Sequence, residues 1–157
     1  MTLKVWLYLL AAAVVVSDQI TKALATARLD YGEPVVVTAF FNLTLLHNTG
    51  AAFSFLGDAD GWQRWLFVGL AIGVSVVLAV WLRAAVRARA PLFVGLALIL
   101  GGAIGNLIDR LRLGYVVDFI QVHYAGWYFP AFNVADSAIT VGAGLVILDA
   151  FRPEPKP

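Results

Sequence analysis

The chain has 157 residues, of which 61% are hydrophobic and only 13% are charged, and its mean hydropathy is +0.84. A soluble domain is usually about 45–50% apolar and about 25% charged, so this composition indicates a protein that resides in a bilayer. The net charge of +1 offers no basic surface for nucleic acid. Because cysteine is absent and only two histidines occur, thiol catalysis, disulfides and most zinc sites are excluded.

The length suits one compact unit, so we expect a single domain over residues 1–157. A transmembrane helix needs roughly 20 mostly apolar residues. Four segments satisfy this requirement, namely residues 5–25, 62–82, 91–108 and 134–151. The pattern therefore predicts an all-α membrane protein with a bundle of four transmembrane helices.

Positive residues predict the orientation of these spans, because short cytoplasmic loops are enriched in lysine and arginine. Six of them fall on one side: Lys4, Arg83, Arg87, Arg89, Arg152 and Lys156. That side is predicted to be cytoplasmic, with both chain termini, and residues 26–61 and 109–133 are predicted to lie outside. The first segment also resembles a signal peptide, but no small-residue cleavage site follows it, so we expect an uncleaved span.

The two outer segments differ in composition. Residues 35–46 of the first, V-V-V-T-A-F-F-N-L-T-L-L, are rich in β-branched and aromatic residues and predict one or two short strands. Since strands need partners, we expect a small sheet on the outer membrane surface. The second segment is expected to be a loop or a helix. The tail P-E-P-K-P is expected to be disordered.

Two aspartates lie in strongly apolar surroundings. Asp118 is in V-V-D-F-I and Asp136 is in F-N-V-A-D-S. An ionised carboxylate near hydrocarbon is costly, so an acid retained there indicates a functional site. Asp136 also has a structural explanation, because Asn133 is a good helix N-cap and an acid three residues later completes a capping box. Asp118 has no such explanation.

Two carboxyl groups within a few ångströms cannot both ionise easily, because repulsion and desolvation raise one pKa. The ionised group can take a proton from water while the other donates one to a peptide carbonyl. Separation in sequence does not show that the two aspartates meet. Ser54 and Ser137 are weaker candidate nucleophiles, because His47 and His123 are expected in loops without a paired serine. No metal or other cofactor is predicted.

Other polar residues lie within or beside the predicted spans. Asp18 and Lys22 are four residues apart, in the order that suits an ion pair. They are expected to form a structural pair with Lys22 reaching the interface, or else to support the rim of the active site. Asn48, in H-N-T-G-A-A-F, belongs either to an ordinary turn or to a loop that hydrogen-bonds a substrate backbone.

The third span carries Gly102, Asn106 and Arg110 on one helical face, since they are spaced four apart. Glycines allow another helix or a ligand to approach closely. Helix packing with Arg110 as an interface anchor explains the glycines, but it does not explain an asparagine at membrane depth. Asp149 has no evident partner and is expected at the cytoplasmic interface.

Five motifs in order along the chain resemble those of the bacterial lipoprotein signal peptidases, the type II signal peptidases. They are S-D-Q-I-T-K (17–22), H-N-T-G-A-A-F (47–53), G-N-L-I-D-R (105–110), V-V-D-F-I (116–120) and F-N-V-A-D-S (132–137). The resemblance covers essentially the whole chain. It implies an aspartic endopeptidase of the bacterial inner membrane that removes signal peptides from diacylglyceryl-modified prolipoproteins, cutting before the lipidated cysteine.

By this resemblance, Asp118 and Asp136 correspond to the catalytic pair. Five further positions match residues that line the family's substrate cleft: Asn48, Gly102, Asn106, Arg110 and Asn133. Asp18 and Lys22 match a polar pair on the first helix. The resemblance also implies an extramembrane strand cradle, with residues 48–53 arching over the substrate. The expected partners are lipid-tagged prolipoproteins and membrane lipids, and we expect a monomer.

Two other functions remain open from the residues alone. Membrane aspartates also serve as proton relays in transporters and channels, although a relay places acids at several depths and the two here are predicted on one side. A non-catalytic assembly factor, whose polar residues only determine packing, is the other alternative.

Overall fold

The computed structural model describes residues 2–50, 61–86 and 89–152. The described helices are α1 (Leu3–Arg28), α2 (Trp62–Leu82), α3 (Ala90–Arg112) and α4 (Val134–Ala150). The described strands are β1 (Val35–Thr38), β2 (Phe41–Asn48), β3 (Val116–Tyr124) and β4 (Trp127–Tyr128). Several predictions concern positions outside the described residues: 51–53 of the predicted arching loop, Ser54, Arg87, and the tail with Lys156.

Three of the described helices, α1, α2 and α3, are long and apolar enough to cross a membrane. They contain 26, 21 and 23 residues, which suits the roughly 20 residues that a span needs. The α4 helix is also apolar, but it has only 17 residues. Three predicted spans therefore have the expected length and composition, and a fourth is not established by these two properties.

The α3 helix lies between the other helices and contacts α1, α2 and α4. The core is formed by buried apolar side chains of α1, α2 and α3, among them Leu7, Leu82, Leu92, Leu96 and Ala97. On the outward faces of α1 and α2, large apolar side chains are exposed. A helix that is apolar on all faces is expected where hydrocarbon rather than water surrounds it.

Glycines determine the closest helix contact, which joins α3 to α4. A Cβ atom at Gly102 would overlap the carbonyl oxygen of Ala135 at the start of α4. Gly95 and Gly142 lie opposite each other, and a Cβ on either would come within 2.6 Å of the other's carbonyl oxygen. These small residues let the two backbones touch, so α4 is held directly against α3.

The strands form one antiparallel sheet in the order β1–β2–β3–β4. The strands predicted in the first outer segment are confirmed. The second outer segment was expected to be a loop or a helix, and that prediction was wrong because the segment contains β3 and β4. The β3 strand pairs with β2, which is distant in sequence, so the local sequence does not reveal this pairing. Ala125 and Gly126, with φ of 48° and 82°, form the two-residue hairpin turn between β3 and β4.

Pairing with β3 also extends β2 further than expected. His47 and Asn48 lie opposite Val117 and Val116, as the last two residues of β2. His123 lies within β3. The expectation that both histidines lie in loops was therefore wrong, because the register between the two strands continues through positions that have turn-like sequence.

Candidate active site

The segment before α4 is joined to β3 by backbone hydrogen bonds. The Phe132 N–H donates to the carbonyl oxygen of Ile120 at 3.0 Å, and the Phe132 carbonyl accepts from the Ile120 N–H at 2.9 Å. This bridge places Asn133, the N-cap of α4, beside Asp118 on β3. Strand pairing thus brings the motifs of the two predicted catalytic aspartates together.

Asn133 is completely buried and contacts both aspartates. Its Nδ2 donates to Asp118 Oδ1 at 2.7 Å, and its Oδ1 accepts from the backbone N–H of Asp136 at 2.9 Å. Asp136 Oδ2 accepts from the Asn133 backbone N–H at 3.3 Å, which completes the predicted capping box. A single amide side chain therefore links Asp118 to the first turn of α4.

Two further amides hold the outer oxygens of the aspartates. Asn48 Nδ2 donates to Asp118 Oδ2 at 3.2 Å, and Asn106 Nδ2 donates to Asp136 Oδ1 at 2.7 Å. The Asn48 side chain also accepts from the Gly50 N–H at 3.0 Å, so the predicted turn at this position is present as well. Asn106, the asparagine at membrane depth that helix packing did not explain, therefore donates a hydrogen bond to the carboxyl group of Asp136.

Asp118 is 2% exposed, and its environment opposes ionisation. Burial, followed by the negative charge of Asp136, raises the pKa of Asp118 from 3.8 to about 7. The hydrogen bonds from Asn48 and Asn133 and the charge of Lys22 act in the opposite direction and are weaker. A carboxyl group with this pKa can carry a proton near neutral pH, as a general acid must.

A cavity of about 560 Å³ opens beside Asp136. Its polar lining includes Asn48, Asn106 and Arg110, and Asp118 is joined to this lining as the hydrogen-bond acceptor of Asn48. The remainder is largely apolar and comes from β3, from α4 and from the segment before it: Val116, Phe129, Pro130, Ala131, Phe132, Ile139 and Val141. A mostly apolar pocket with a few convergent polar groups is typical of a ligand site.

Arg110 connects α3 with the chain that follows β2. Its Nη2 donates to the carbonyl oxygen of Gly50 at 2.8 Å, and its guanidinium lies 5.2 Å from the centre of the Phe67 ring. Arg110, which lines the cavity, therefore ties Gly50 to α3. Gly102 has a different environment, because it lies at the contact between α3 and α4 described above.

A buried ion cluster lies behind Asn106. Lys22, 3% exposed, places its Nζ 2.9 Å from Asp18 Oδ2 and 2.9 Å from Asp109 Oδ2, and it donates to Asn106 Oδ1 at 2.9 Å. The predicted ion pair of Asp18 and Lys22 is confirmed. The expectation that Lys22 reaches the interface was wrong, because Asp109 and Asn106 hold it inside the bundle.

The same cluster reaches both elements that carry the aspartates. Asp18 Oδ1 accepts from the Ala135 N–H of α4 at 2.9 Å, and Asp109 Oδ2 accepts from the Val117 N–H of β3 at 3.0 Å. Asp109 is not among the residues that the motifs predict. Its spacing of three from Asn106 places both on one face of α3, but its partners on α1 and β3 are not visible in the sequence.

At the opposite end of the helices, Asp149 is buried and paired. Arg89 Nε donates to Asp149 Oδ2 at 2.9 Å, which joins the start of α3 to the end of α4. Asp149, for which the sequence showed no evident partner, is therefore paired with Arg89. Within the described ranges, no group of three or more histidines or carboxylates is placed to hold a metal ion.

The long apolar helices and the site together define a membrane protein with two carboxyl groups held by amides, one of which lines a largely apolar cavity. The sequence pattern of the signal peptidase II family matches residues 10–152. The chain belongs to that family, whose members are aspartic endopeptidases. This membership decides against the transporter and the assembly factor.

Relatives and solved structures agree with this assignment. The chain is 56% identical to the lipoprotein signal peptidase of Pseudomonas paraeruginosa over 149 residues, covering 94% of this chain and 88% of the relative. It is 56% identical over 147 residues to that of Acinetobacter baumannii, covering 94% and 83%. A bacterial membrane enzyme solved by the in meso method at 2.3 Å superposes with a TM-score of 0.82, at 32% identity over 95% of this chain and 92% of that chain.

Proposed function

We propose that this protein removes signal peptides from diacylglyceryl-modified prolipoproteins, cutting before the lipidated cysteine, with Asp118 and Asp136 as its catalytic pair. The observation that carries the proposal is the buried Asn133 amide, which contacts the Asp118 carboxyl group and caps the helix turn that holds Asp136. Two carboxyl groups joined in this way at a cavity are what an aspartic peptidase requires. Its relatives are lipoprotein signal peptidases.

The proposed reaction uses one ionised and one protonated carboxyl group. The ionised group takes a proton from water, whose oxygen forms a bond to the scissile carbonyl carbon. The protonated group donates its proton to the carbonyl oxygen, so that a neutral tetrahedral diol results. The C–N bond then breaks as the leaving nitrogen takes a proton from the first group. The second group regains its proton from a hydroxyl of the diol.

The lining of the cavity suits an unwound peptide beside a lipid. A signal helix hides its peptide groups in its own hydrogen bonds, so cleavage requires a locally extended stretch with freed N–H and C=O groups. Asn48 and Arg110 line the cavity, where amide and guanidinium groups can bind such a stretch. Asn106 and Asn133 act by holding the carboxyl groups, and Gly102 acts by keeping α4 against α3. The apolar remainder can accept acyl chains.

We also propose that α4 is a fourth span, so that the chain forms one four-helix domain of the bacterial inner membrane. Both termini then lie in the cytoplasm, and the sheet and the cavity face the outer side. The positive residues at the cytoplasmic ends and the exposed aromatic residues of the β3–β4 hairpin support this arrangement. We expect the protein to act as a monomer on prolipoproteins within the lipid bilayer.

The test is cleavage of a diacylglyceryl-modified prolipoprotein by the purified protein, followed on a gel. We expect Asp118→Asn and Asp136→Asn each to lose about a thousandfold or more in activity, because each removes a group that moves a proton. Asp30→Asn is the matched control, since Asp30 is exposed and outside the site. The pair would be wrongly assigned if either variant, correctly folded, cleaved as fast as the control.

A further inference from the structure

Lys22 constrains the orientation of the Asn106 amide. A lysine ammonium group has three protons and no acceptor. The three partners that lie 2.9 Å from Nζ are all oxygens, one each from Asp18, Asp109 and Asn106. Because lysine can only donate, the amide atom of Asn106 that faces it must be the carbonyl oxygen. The NH₂ group of Asn106 must therefore point away from Lys22.

The direction in which it points is toward Asp136. Asn106 Nδ2 lies 2.7 Å from Asp136 Oδ1, and the Asn133 side chain also donates to Asn106 Oδ1 at 3.2 Å, which reinforces the same orientation. A hydrogen-bond donor held against a carboxyl oxygen favours the ionised carboxylate. The N-terminus of α4 favours a negative charge at Asp136 for an additional reason, because backbone N–H groups point toward it.

Asp118 has a different environment. It lies on β3 rather than in the first turn of α4, and its amide ligands Asn48 and Asn133 are not the amide that Lys22 contacts. Among the residues that the structure describes, Asp136 accepts directly from the amide that Lys22 contacts, and Asp118 does not.

We propose that Lys22 is a positioning residue that acts through Asn106 to keep Asp136 ionised, so that Asp136 is the general base and Asp118 holds the shared proton. This inference rests on the proposed function. Asp136 takes the proton of the attacking water and later transfers it to the leaving nitrogen. Asp118 protonates the carbonyl oxygen and regains a proton from the diol hydroxyl as the new carboxyl group forms.

Several charged groups besides Lys22 surround Asp136 in the described part of the chain. The α1 helix contributes Asp18, α3 contributes Arg110 and, beyond it, Asp109, and β3 contributes Asp118. The β2 strand contributes the neutral Asn48. These charges also act on Asp136. The control variant must therefore remove a charge of the same cluster without altering the orientation of the Asn106 amide.

The primary test is the pH profile of cleavage by Lys22→Met. Without the ammonium group, Asn106 can turn its carbonyl oxygen toward Asp136, and that oxygen can accept a hydrogen bond from Asp136 only when Asp136 is protonated. We expect the acidic limb of kcat to move upward by about one pH unit, so that kcat at pH 6 falls about tenfold while KM stays within about threefold. Activity should recover toward the wild-type value at pH 8, which a purely structural defect would not produce.

Asp18→Asn is the matched control, because it removes a different charge from the same cluster and leaves Lys22 bound to Asp109 and Asn106. We expect it to lower thermal stability without moving the acidic limb to higher pH. Should Lys22→Met not fold, Asn106→Leu tests the same link, because it removes the amide and leaves Lys22 its two carboxylate partners. An upward shift in Asp18→Asn equal to that in the other variants would refute the proposal.

A second measurement does not depend on cleavage. In Asp118→Asn, Asp136 is the remaining carboxyl group of the pair, and the infrared carbonyl band of the protonated acid reports its titration. Adding Asn106→Leu should make this band appear at higher pH. If the wild type cleaves and neither readout moves, the Lys22 link is wrong and the proposed function stands. If the band moves and the wild type does not cleave prolipoprotein, the proposed function is wrong and the link stands.

Discussion

At the scale of single residues, the site is built from neutral amides around acids. Three asparagines, Asn48, Asn106 and Asn133, donate to the two aspartates. Amides satisfy a buried carboxyl group without adding a charge, so they stabilise it in place without forcing both members of the pair to ionise. A lysine in direct contact would have favoured the ionised form of its neighbour strongly. The cation is instead one amide removed from Asp136.

The raised pKa of Asp118 predicts how stability depends on pH. Between about pH 4 and pH 7 the folded protein retains the Asp118 proton that the unfolded chain has released. The free energy of unfolding therefore decreases as the pH rises through this range. We expect the wild-type thermal midpoint in detergent to fall across this range relative to Asp118→Asn, by at least about 5 °C. Parallel curves for the two proteins would contradict a raised pKa at Asp118.

At the scale of elements, the position of α4 decides the geometry of the site. Its first turn carries Asn133 and Asp136, and it is held against α3 where Gly102 meets Ala135. The β3 strand provides Asp118, and the bridge to Phe132 aligns it with the start of α4. The geometry of the proposed catalytic pair therefore depends on one helix contact and one strand pairing, made by residues other than the two aspartates.

The helix contact can be tested with a pair of glycine variants. In Gly102→Ala the new methyl group meets the backbone of Ala135 and must push the start of α4 away, which we expect to cost about 1–3 kcal/mol of stability and most of the activity. Gly69→Ala on α2 is the control, since a Cβ there has no atom within 4 Å. Thermal midpoints and cleavage rates measure both effects, and equal behaviour of the two variants would refute this role for Gly102.

At the scale of the whole molecule, the exposed apolar faces of α1 and α2 and the exposed hairpin aromatics indicate how the protein meets lipid. The hairpin side chains Tyr124, Trp127 and Tyr128 are all more than half exposed. Aromatic side chains of this kind are typical of the membrane–water interface. The sheet end of the molecule and the Arg89–Asp149 end should therefore face opposite sides of the bilayer.

The proposed orientation can be tested because the chain contains no cysteine. Single-cysteine variants at Tyr124 and Arg83, both exposed, probe the two ends. A membrane-impermeant maleimide should label Tyr124→Cys in cells whose outer membrane alone has been permeabilised, and it should label Arg83→Cys only after the inner membrane is broken. Labelling in the reverse order would show that the topology is the inverse of the one proposed. Equal labelling of both variants while the inner membrane is intact would show that the two positions do not lie on opposite sides.

Much of this protein follows from local sequence. The three long spans, the capping box of α4 and the ion pair of Asp18 with Lys22 depend on hydrophobic length or on spacings of three and four residues, which a helix converts directly into neighbours. The family resemblance likewise rests on short motifs in order, and the family assignment is confirmed. Apolar surroundings alone were sufficient to select Asp118 and Asp136 as candidates.

Only the tertiary structure decided which distant segments meet. The strand character of β3, the burial of Lys22 by Asp109 and the pairing of Asp149 with Arg89 all depend on partners far away in the chain. The same is true of the bridge that places Asn133 beside Asp118. A sequence shows that a buried polar group needs a partner, because an unpaired one is costly. Which partner it finds is determined by the packing of the helices and the register of the sheet.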